Sequence, residues 1–336
     1  MEFNFRRKNS HDTLKALPRC RTKIIPIASV FLVLVLGCQV STASSTKISA
    51  DDLSYPKWFE KIISWHEHGL ISDDDFSNAV SYLMERGIIQ HTSGMWHPRP
   101  GTKWNVQLNG RINQSPGIEV YNIDLFDNDK SVVDSLHASG NKAVCYFSAG
   151  SWEDWRVDAG SFPASVVGND YSGWPGEKWL DIRQIDTVGP IMQKRLDLCK
   201  QKGFDGVDAD NVDSYLQDTG FSITYQDQLN YNMWLADEAH RRGLAIGLKN
   251  DLAQVNDLVD HFDWASNEQC LSYHECDMLL AFVMNDKAVF HVEYVDMGAE
   301  FNAVCANTPH GFSTILKTRA LNSTLFESCD DAMLKQ

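Results

Sequence analysis

Apolar and polar positions divide the chain into three stretches of different rhythm. The first is unbroken: Ile24 to Gly37 is almost wholly apolar and follows Arg6, Arg7, Lys8, Arg19, Arg21 and Lys23. A run of about fourteen residues is short for a membrane-spanning helix and suits the apolar segment of a secretory signal behind a basic flank. It ends in Val35-Leu36-Gly37-Cys38, a lipobox-like pattern in which Cys38 would be lipidated, although Leu36 is larger than that pattern usually holds. Residues 1–38 are therefore expected to be a signal peptide or a membrane or lipid anchor, placing the protein outside the cell or on its surface.

The second rhythm is helical. Across 51–90, Trp58, Ile62 and Trp65, then Phe76, Val80 and Leu83, recur at spacings of three and four, which gathers them on one face of each of two helices. Gly69 ends the first helix, and Ser72 with Asp75 three residues later opens the second. A helical hairpin is predicted, followed by a Gly- and Pro-containing linker over 91–101. His66 and His68 lie two apart and do not share a helix face, so they are read as surface residues rather than a metal pair. A lone hairpin buries little surface and is expected to pack on a neighbour or a partner.

From residue 102 to about 320, short β-rich runs alternate with longer helical patterns, the mark of βα units around a parallel sheet. Eight strand candidates follow in order: IEVYNID, KAVCYFS, KWLDI, DGVDAD, LAIGLKN, DWASNEQ, AVFHVEY and TILK. Helical patterns ending at Gly203 and Gly243 separate several of them. Eight such units fit a closed α/β barrel of the (β/α)8 type, and no Gly-rich phosphate loop follows the first strand. Residues 321–336 are left as a C-terminal tail.

Charge and cysteine content narrow the picture. The formal net charge is −15, and residues 1–38 hold seven Lys/Arg against two Asp/Glu, so the rest is more acidic still. Such a chain does not suit nucleic acid or an anionic surface; it suits a cationic substrate, or solubility alone. Beyond Cys20 and Cys38, six cysteines remain, an even number that in an exported chain suggests disulfides. Cys270 with Cys276 is the natural local pair, and Cys305 with Cys329 would tie down the C-terminus. No Cys/His spacing suggests zinc. Asn113 and Asn322 open glycosylation sequons.

The chemistry concentrates where strands end. Each candidate starts apolar and finishes polar: Asp124, Ser148, Asp181, Asp210, Lys249 with Asn250, Glu268, Glu293 and Lys317. In a β/α barrel these ends share one face, where the active sites of that fold lie. A solvated rim explains any one of them; a lined pocket explains all eight together. Strand alternation puts Asp208 and Asp210 on one side and Val207 and Ala209 on the other. Asp205 falls in the turn before the strand and Asp213 in the loop after it. A calcium loop fails, because Val212 occupies the fifth position counted from Asp208. Asp210 and Glu268 facing one cleft supply the two carboxylates that glycoside hydrolysis needs, one as acid and one kept ionised. Lys249 and Lys317 could keep one of them charged. Trp152, Trp155, Trp174 and Trp179 lie in loops over the same mouth and could stack on sugars or clamp cations, though a tryptophan alone is more often core than platform. There is no GxSxG elbow and no paired-histidine motif in the barrel, so no metal and no cofactor is expected. His291, within a strand, reads as a satisfied core histidine.

Six motifs taken together, VYNIDLFDN, CYFSAGSWEDWRVDAGSFP, GWPGEKWLDIR, KGFDGVDADNVDSY, GLAIGLKND and NEQC…EC, resemble glycoside hydrolase family 114, whose named activity is endo-α-1,4-polygalactosaminidase. The resemblance covers about 102–320. It implies a β/α barrel and hydrolysis of α-1,4-linked galactosamine polymers, with Asp210 as nucleophile and Glu268 as acid/base. It also implies substrate contacts from Asp124, Asp181, Asp208, Asn211, Lys249 and Glu293; Ser148, Trp152 and Trp179 join them as candidates from the mouth. One departure stands out: the family usually reads VEPDNVD where this chain reads VDADNVD, so Asp208 replaces a glutamate and Ala209 a proline. Residues 51–90 resemble a short Trp-rich repeat of exported proteins. The expected partner is a polysaccharide, in particular a cationic amino-sugar polymer, with any membrane contact confined to an N-terminal anchor. The alternatives are a non-catalytic carbohydrate-binding barrel and an envelope scaffold that works through the hairpin.

Overall fold

Eight parallel strands form the frame: β1 (Trp104–Gln107), β2 (Val120–Asp124), β3 (Lys142–Ser148), β4 (Gly206–Asp210), β5 (Ala245–Lys249), β6 (Trp264–Glu268), β7 (Ala288–Tyr294) and β8 (Phe312–Lys317). In this computed structural model, which describes residues 53–85, 88–91 and 95–329, each strand pairs in parallel with the next, from β1 to β8. The sheet curls until its first and last parallel strands meet. Trp104 Nε1 donates to the Ser313 carbonyl at 2.7 Å, Lys317 Nζ reaches Asn105 Oδ1 at 3.2 Å, and Leu108 N donates to the Leu321 carbonyl at 2.8 Å. The result is a TIM-like barrel.

Strand alternation sorts the two faces. Val207, Ala209, Ile246, Leu248, Cys145 and Phe147 face outward into the main core, against α3 (Lys130–Ala138), α4 (Ile185–Lys202) and α5 (Tyr225–Arg241). The inward residues Trp104, Val106, Val144, Trp264, Phe290 and Ile315 fill the lower barrel. Trp264 needs room there: a Cβ on Gly247 would lie 2.1 Å from its ring nitrogen, and one on Gly206 2.8 Å from its ring. The helices end as their sequences indicate. Thr224 and Asp227 form a reciprocal capping box at the start of α5, and Gly203 takes the left-handed position that ends α4.

One of the expected strands changes place. The run at 178–182 is not a barrel strand: Glu177–Leu180 pairs antiparallel with Ser151–Glu153 and Val167–Asp170 in a separate three-stranded sheet above the barrel. Parallel neighbours need a crossover, usually helical, between them, and no α-helix separates Ser148 from Glu177. The missing barrel strand is instead β1, only four residues long.

The stretch expected as a linker runs along the barrel's lower end. Trp96 packs on Trp264 at 5.5 Å between ring centroids, His97 meets Asp263 at 2.9 Å, and Pro98 accepts from Ala288 N. The expected tail is likewise tied in, because Glu327–Ser328 pairs antiparallel with β8 and Cys329 bonds Cys305. Cys270–Cys276 is the second disulfide, and Cys145–Cys199 the third, joining β3 to α4. Ahead of the barrel, α1 (Glu60–Glu67) and α2 (Asp73–Glu85) share a small cluster of Phe59, Ile63, Phe76, Val80 and Ile89. Among the described residues no helix is long and apolar enough to cross a membrane. The expected signal or anchor over 1–38, with Cys38, lies outside the described residues.

Candidate active site

The C-terminal ends of the strands open into one cavity of about 530 Å³. Three successive strands place its central groups. Lys249, at the end of β5, lies between Asp210 at the end of β4 and Glu268 at the end of β6. Its ammonium is 3.0 Å from Asp210 Oδ1 and 3.5 Å from Glu268 Oε2. Those two oxygens therefore cannot be farther apart than the sum of the two distances, 6.5 Å.

The environments of the two carboxylates differ. Asp210 is mostly buried, and burial by itself would raise its pKa. The Lys249 ammonium outweighs that, helped by the Tyr146 hydroxyl donating to Oδ2 at 2.7 Å and Asn211 N donating to Oδ1 at 2.8 Å, and holds Asp210 below its ordinary value. Glu268 is more open. It accepts from the Tyr294 hydroxyl through Oε1, and its own N–H donates to Asn250 Oδ1 at 3.0 Å. The turns that aim these groups are left-handed at non-glycine residues: Asn211 (φ 62°), Asn250 (φ 51°), Asp251 (φ 42°) and Gln269 (φ 65°) follow the ends of β4, β5 and β6 directly. Asn and Asp tolerate that region better than most side chains, and such clustering is common where geometry serves a site.

Asp124 and Asn211 also line the cavity. Asp124 holds Arg156 through two hydrogen bonds of 3.0 and 2.7 Å, and Arg156 in turn pairs with Glu153 at 2.8 Å. Asn211 Nδ2 donates to Ser148 Oγ at 2.8 Å and to Glu177 Oε1 at 3.0 Å. Glu177 is pushed up to about 7, chiefly by burial, against the Ser151 hydrogen bond and with the charges of Glu153 and Asp210 adding to the rise. Seven carboxylates line the cavity against three cations, so it is strongly acidic.

Asp208 shares the inward side with Asp210 but sits one layer deeper. It is buried, accepts from Asn122 Nδ2 at 2.5 Å, and is pushed up to about 6 by burial in spite of Lys249. A void of about 20 Å³ lies beside it, lined also by Trp104, Val106 and Ser266. Asp208 thus supports the floor and does not line the mouth.

Five other expected contacts lie elsewhere. Ser148 is buried beneath Asn211, and its inward neighbour Tyr146 reaches Asp210 instead. Asp181 follows the antiparallel sheet and is held below its ordinary value, burial being outweighed by hydrogen bonds from Arg183 at 2.7 Å and Gln184 at 2.9 Å. Glu293 points outward from β7, taking Leu271 N at 2.9 Å, the Ser272 hydroxyl at 2.6 Å and His291 at 3.0 Å; the next residue, Tyr294, faces the cavity. Trp152 packs on the core and donates to the Ala159 carbonyl at 3.0 Å, and Trp179 packs on Tyr171 in a tilted arrangement at 4.6 Å between ring centroids. The tryptophans that line the cavity are Trp155 and Trp174, both about half exposed. Lys317 is buried against Asn105 and the Asn322 carbonyl and does not line the cavity.

The remaining aspartates of the 203–215 stretch divide as well. Asp205 is a turn residue knitted in by Lys142 (2.7 Å), His137 (2.7 Å) and Ala143 N (2.9 Å), whereas Asp213 lines the cavity and is raised by burial. His291 is a satisfied core residue between Thr314 and Glu293.

The profile of glycoside-hydrolase family GH114 matches residues 87–333. The chain belongs to this family. It is therefore a glycoside hydrolase, and the carboxylate pair stands at the mouth where a family enzyme on this fold would act. Among solved structures, that of Aspergillus fumigatus Ega3 in complex with galactosamine is 43% identical, covering 70% of this chain and 97% of that one, with a TM-score of 0.67. The glycoside hydrolase domain of PelA from Pseudomonas aeruginosa shares the fold at 15% identity and a TM-score of 0.55, over 66% of this chain and 97% of that one. No match is found among curated protein sequences.

Proposed function

We propose that this protein is an exported endo-acting hydrolase of α-1,4-linked galactosamine polymers. The observation that carries the reading is Lys249 bridging Asp210 and Glu268 at the base of an acidic cavity. Asp210, kept ionised, attacks the anomeric carbon while Glu268 gives its proton to the departing glycosidic oxygen. Glu268 then takes a proton from water, whose oxygen displaces Asp210 from that carbon. Retaining enzymes hold their carboxyl groups about 5–5.5 Å apart and inverting ones about 6.5–9.5 Å. The 6.5 Å upper limit on the two oxygens that Lys249 bridges is compatible with retention.

Substrate and location rest on separate support. The galactosamine bound to the 43%-identical Ega3 and the excess of carboxylates in the cavity favour an amino sugar, because its ammonium is attracted by such a lining. The basic, then apolar N-terminal segment and three disulfides favour an exported chain.

The test is Asp210→Asn and Glu268→Gln assayed by reducing-end release from α-1,4-galactosamine polymer. Each lowers kcat at least about 10³-fold if the assignment is right, and near-normal turnover by either variant overturns it. Activity also falls with salt at fixed pH, since exposed charges are screened.

A further inference from the structure

Three cations line the cavity, and two of them are neutralised. Arg156 is held by Asp124 and Glu153, and Lys249 by Asp210 and Glu268. Arg319 is the third, and among the described residues no carboxylate pairs with its guanidinium. Instead the guanidinium lies over the ring of the half-exposed Trp174, 5.8 Å from its centroid.

Both partners are built in. Arg319 follows β8, opposite β4 in the ring, and its N–H donates to Asp296 Oδ1 at 3.0 Å. The same turn is fixed on its other side, where Asn109 Nδ2 donates to the Ala320 carbonyl at 2.9 Å and Leu108 N to that of Leu321 at 2.8 Å. Trp174 comes from the excursion after β3, in a tight turn between Gly173 and Gly176, both with positive φ. The contact spans the mouth and gives one end of an otherwise acidic cleft a positive charge. Arg319 also lies close enough to the Tyr294 hydroxyl, which donates to Glu268, to act on it electrostatically.

We propose that Arg319 and Trp174 form a subsite for a sugar without an ammonium group, one whose 2-position carries an acylamide or a hydroxyl. An ammonium sugar there would face an unpaired like charge, whereas an acylamide oxygen or a hydroxyl accepts from the guanidinium and the ring stacks on the indole. The enzyme would then cut where a galactosamine bound on the acidic side is followed by an uncharged unit. This rests on the galactosamine reading above.

The experiment uses the full chain and galactosamine polymers of graded N-acetylation, with mass-spectrometric assignment of the units flanking each cut. Wild-type enzyme places acetylated units on one side of the cut at roughly three- to tenfold above their share in the polymer, the scale of one like-charge contact near a surface. Arg319→Lys keeps the bias, Arg319→Ala removes it, and Arg319→Glu reverses it toward ammonium-bearing units. Arg319 is exposed, so these variants are expected to fold, and thermal melting checks that they do. A wild type that cuts without bias, or a bias that survives Arg319→Ala, overturns the subsite while leaving the galactosamine reading intact. Failure of the wild type to cut any of these polymers overturns both.

Discussion

Lys249 stands between the two carboxylates of the site, 3.0 Å from Asp210 and 3.5 Å from Glu268. The ion pair with Asp210 is well shielded from water, so the ammonium is the main reason that a buried aspartate stays ionised at the foot of the cleft. Lys249→Met keeps the side-chain length and removes the charge. Asp210 then rises, because burial is no longer opposed by its strongest partner. The acid limb of the kcat/KM profile moves to higher pH, and kcat falls by about 10²–10³-fold. A pH–rate profile of the variant on a galactosamine polymer measures both; an unmoved acid limb would separate Lys249 from the state of Asp210.

Glu177 gives the cleft a second pH dependence. Burial holds its pKa near 7, so below that value it is largely protonated and cannot pair with an ammonium. Affinity for a cationic substrate therefore increases as pH rises through about 7. Glu177→Gln flattens that rise and increases KM by roughly tenfold, the value of a charge-assisted contact of about 1.4 kcal/mol. KM measured from pH 5.5 to 8 in both proteins decides it.

Asp208 stands where the resemblance gives a glutamate, and a void of about 20 Å³ lies beside it. Asp208→Glu is expected to extend into that void, with turnover within about threefold of wild type, as volume-compatible changes cost little. Asp208→Ala leaves Asn122 Nδ2 buried without its acceptor, and so destabilises by about 1–3 kcal/mol. Denaturant melts of the two variants should differ accordingly.

Asp251 is a buried carboxyl behind the site, hydrogen-bonded by Asn232 at 2.8 Å and raised to about 8 by burial. An unfolded aspartate loses its proton near pH 3.9, so between about 4 and 8 the folded chain holds a proton that the unfolded one has released. This group's contribution is thus complete below about pH 4 and is lost as pH rises through about 8. Asp251→Asn keeps a side chain that tolerates the left-handed φ of 42° and removes the penalty. Its melting temperature should exceed the wild-type value by several degrees at pH 8 and be nearly equal to it at pH 4. An equal offset at both pH values would mean that ionisation is not the cause.

The sequence carried the repeating units, the position of the mouth and its two central acids, because those follow from local patterns. Strand alternation separates Asp208 and Asp210 from Val207 and Ala209, and the glycines and capping residues mark the ends of α4 and α5. Two particulars were not legible. The four-residue β1 is too short to show a period, so a run in the antiparallel excursion, with the same apolar-to-polar profile, took its place in the count. In β7 every residue is buried, so hydrophobicity does not distinguish the inward side from the outward one. Glu293 and Tyr294 could exchange places as far as the pattern showed.

Tertiary structure decided what depends on closing the ring. Tyr146, Tyr294 and Arg319 reach the cavity from different strands and loops, and nothing in their local sequence marks their convergence. The same holds for charge. The sequence placed Asp124, Asp210 and Glu268 at the mouth, but only the folded chain brings Glu153, Glu177 and Asp213 beside them and sets burial and partners, and these leave Asp210 ionised, Glu177 near 7 and the Arg319 guanidinium without a carboxylate partner among the described residues.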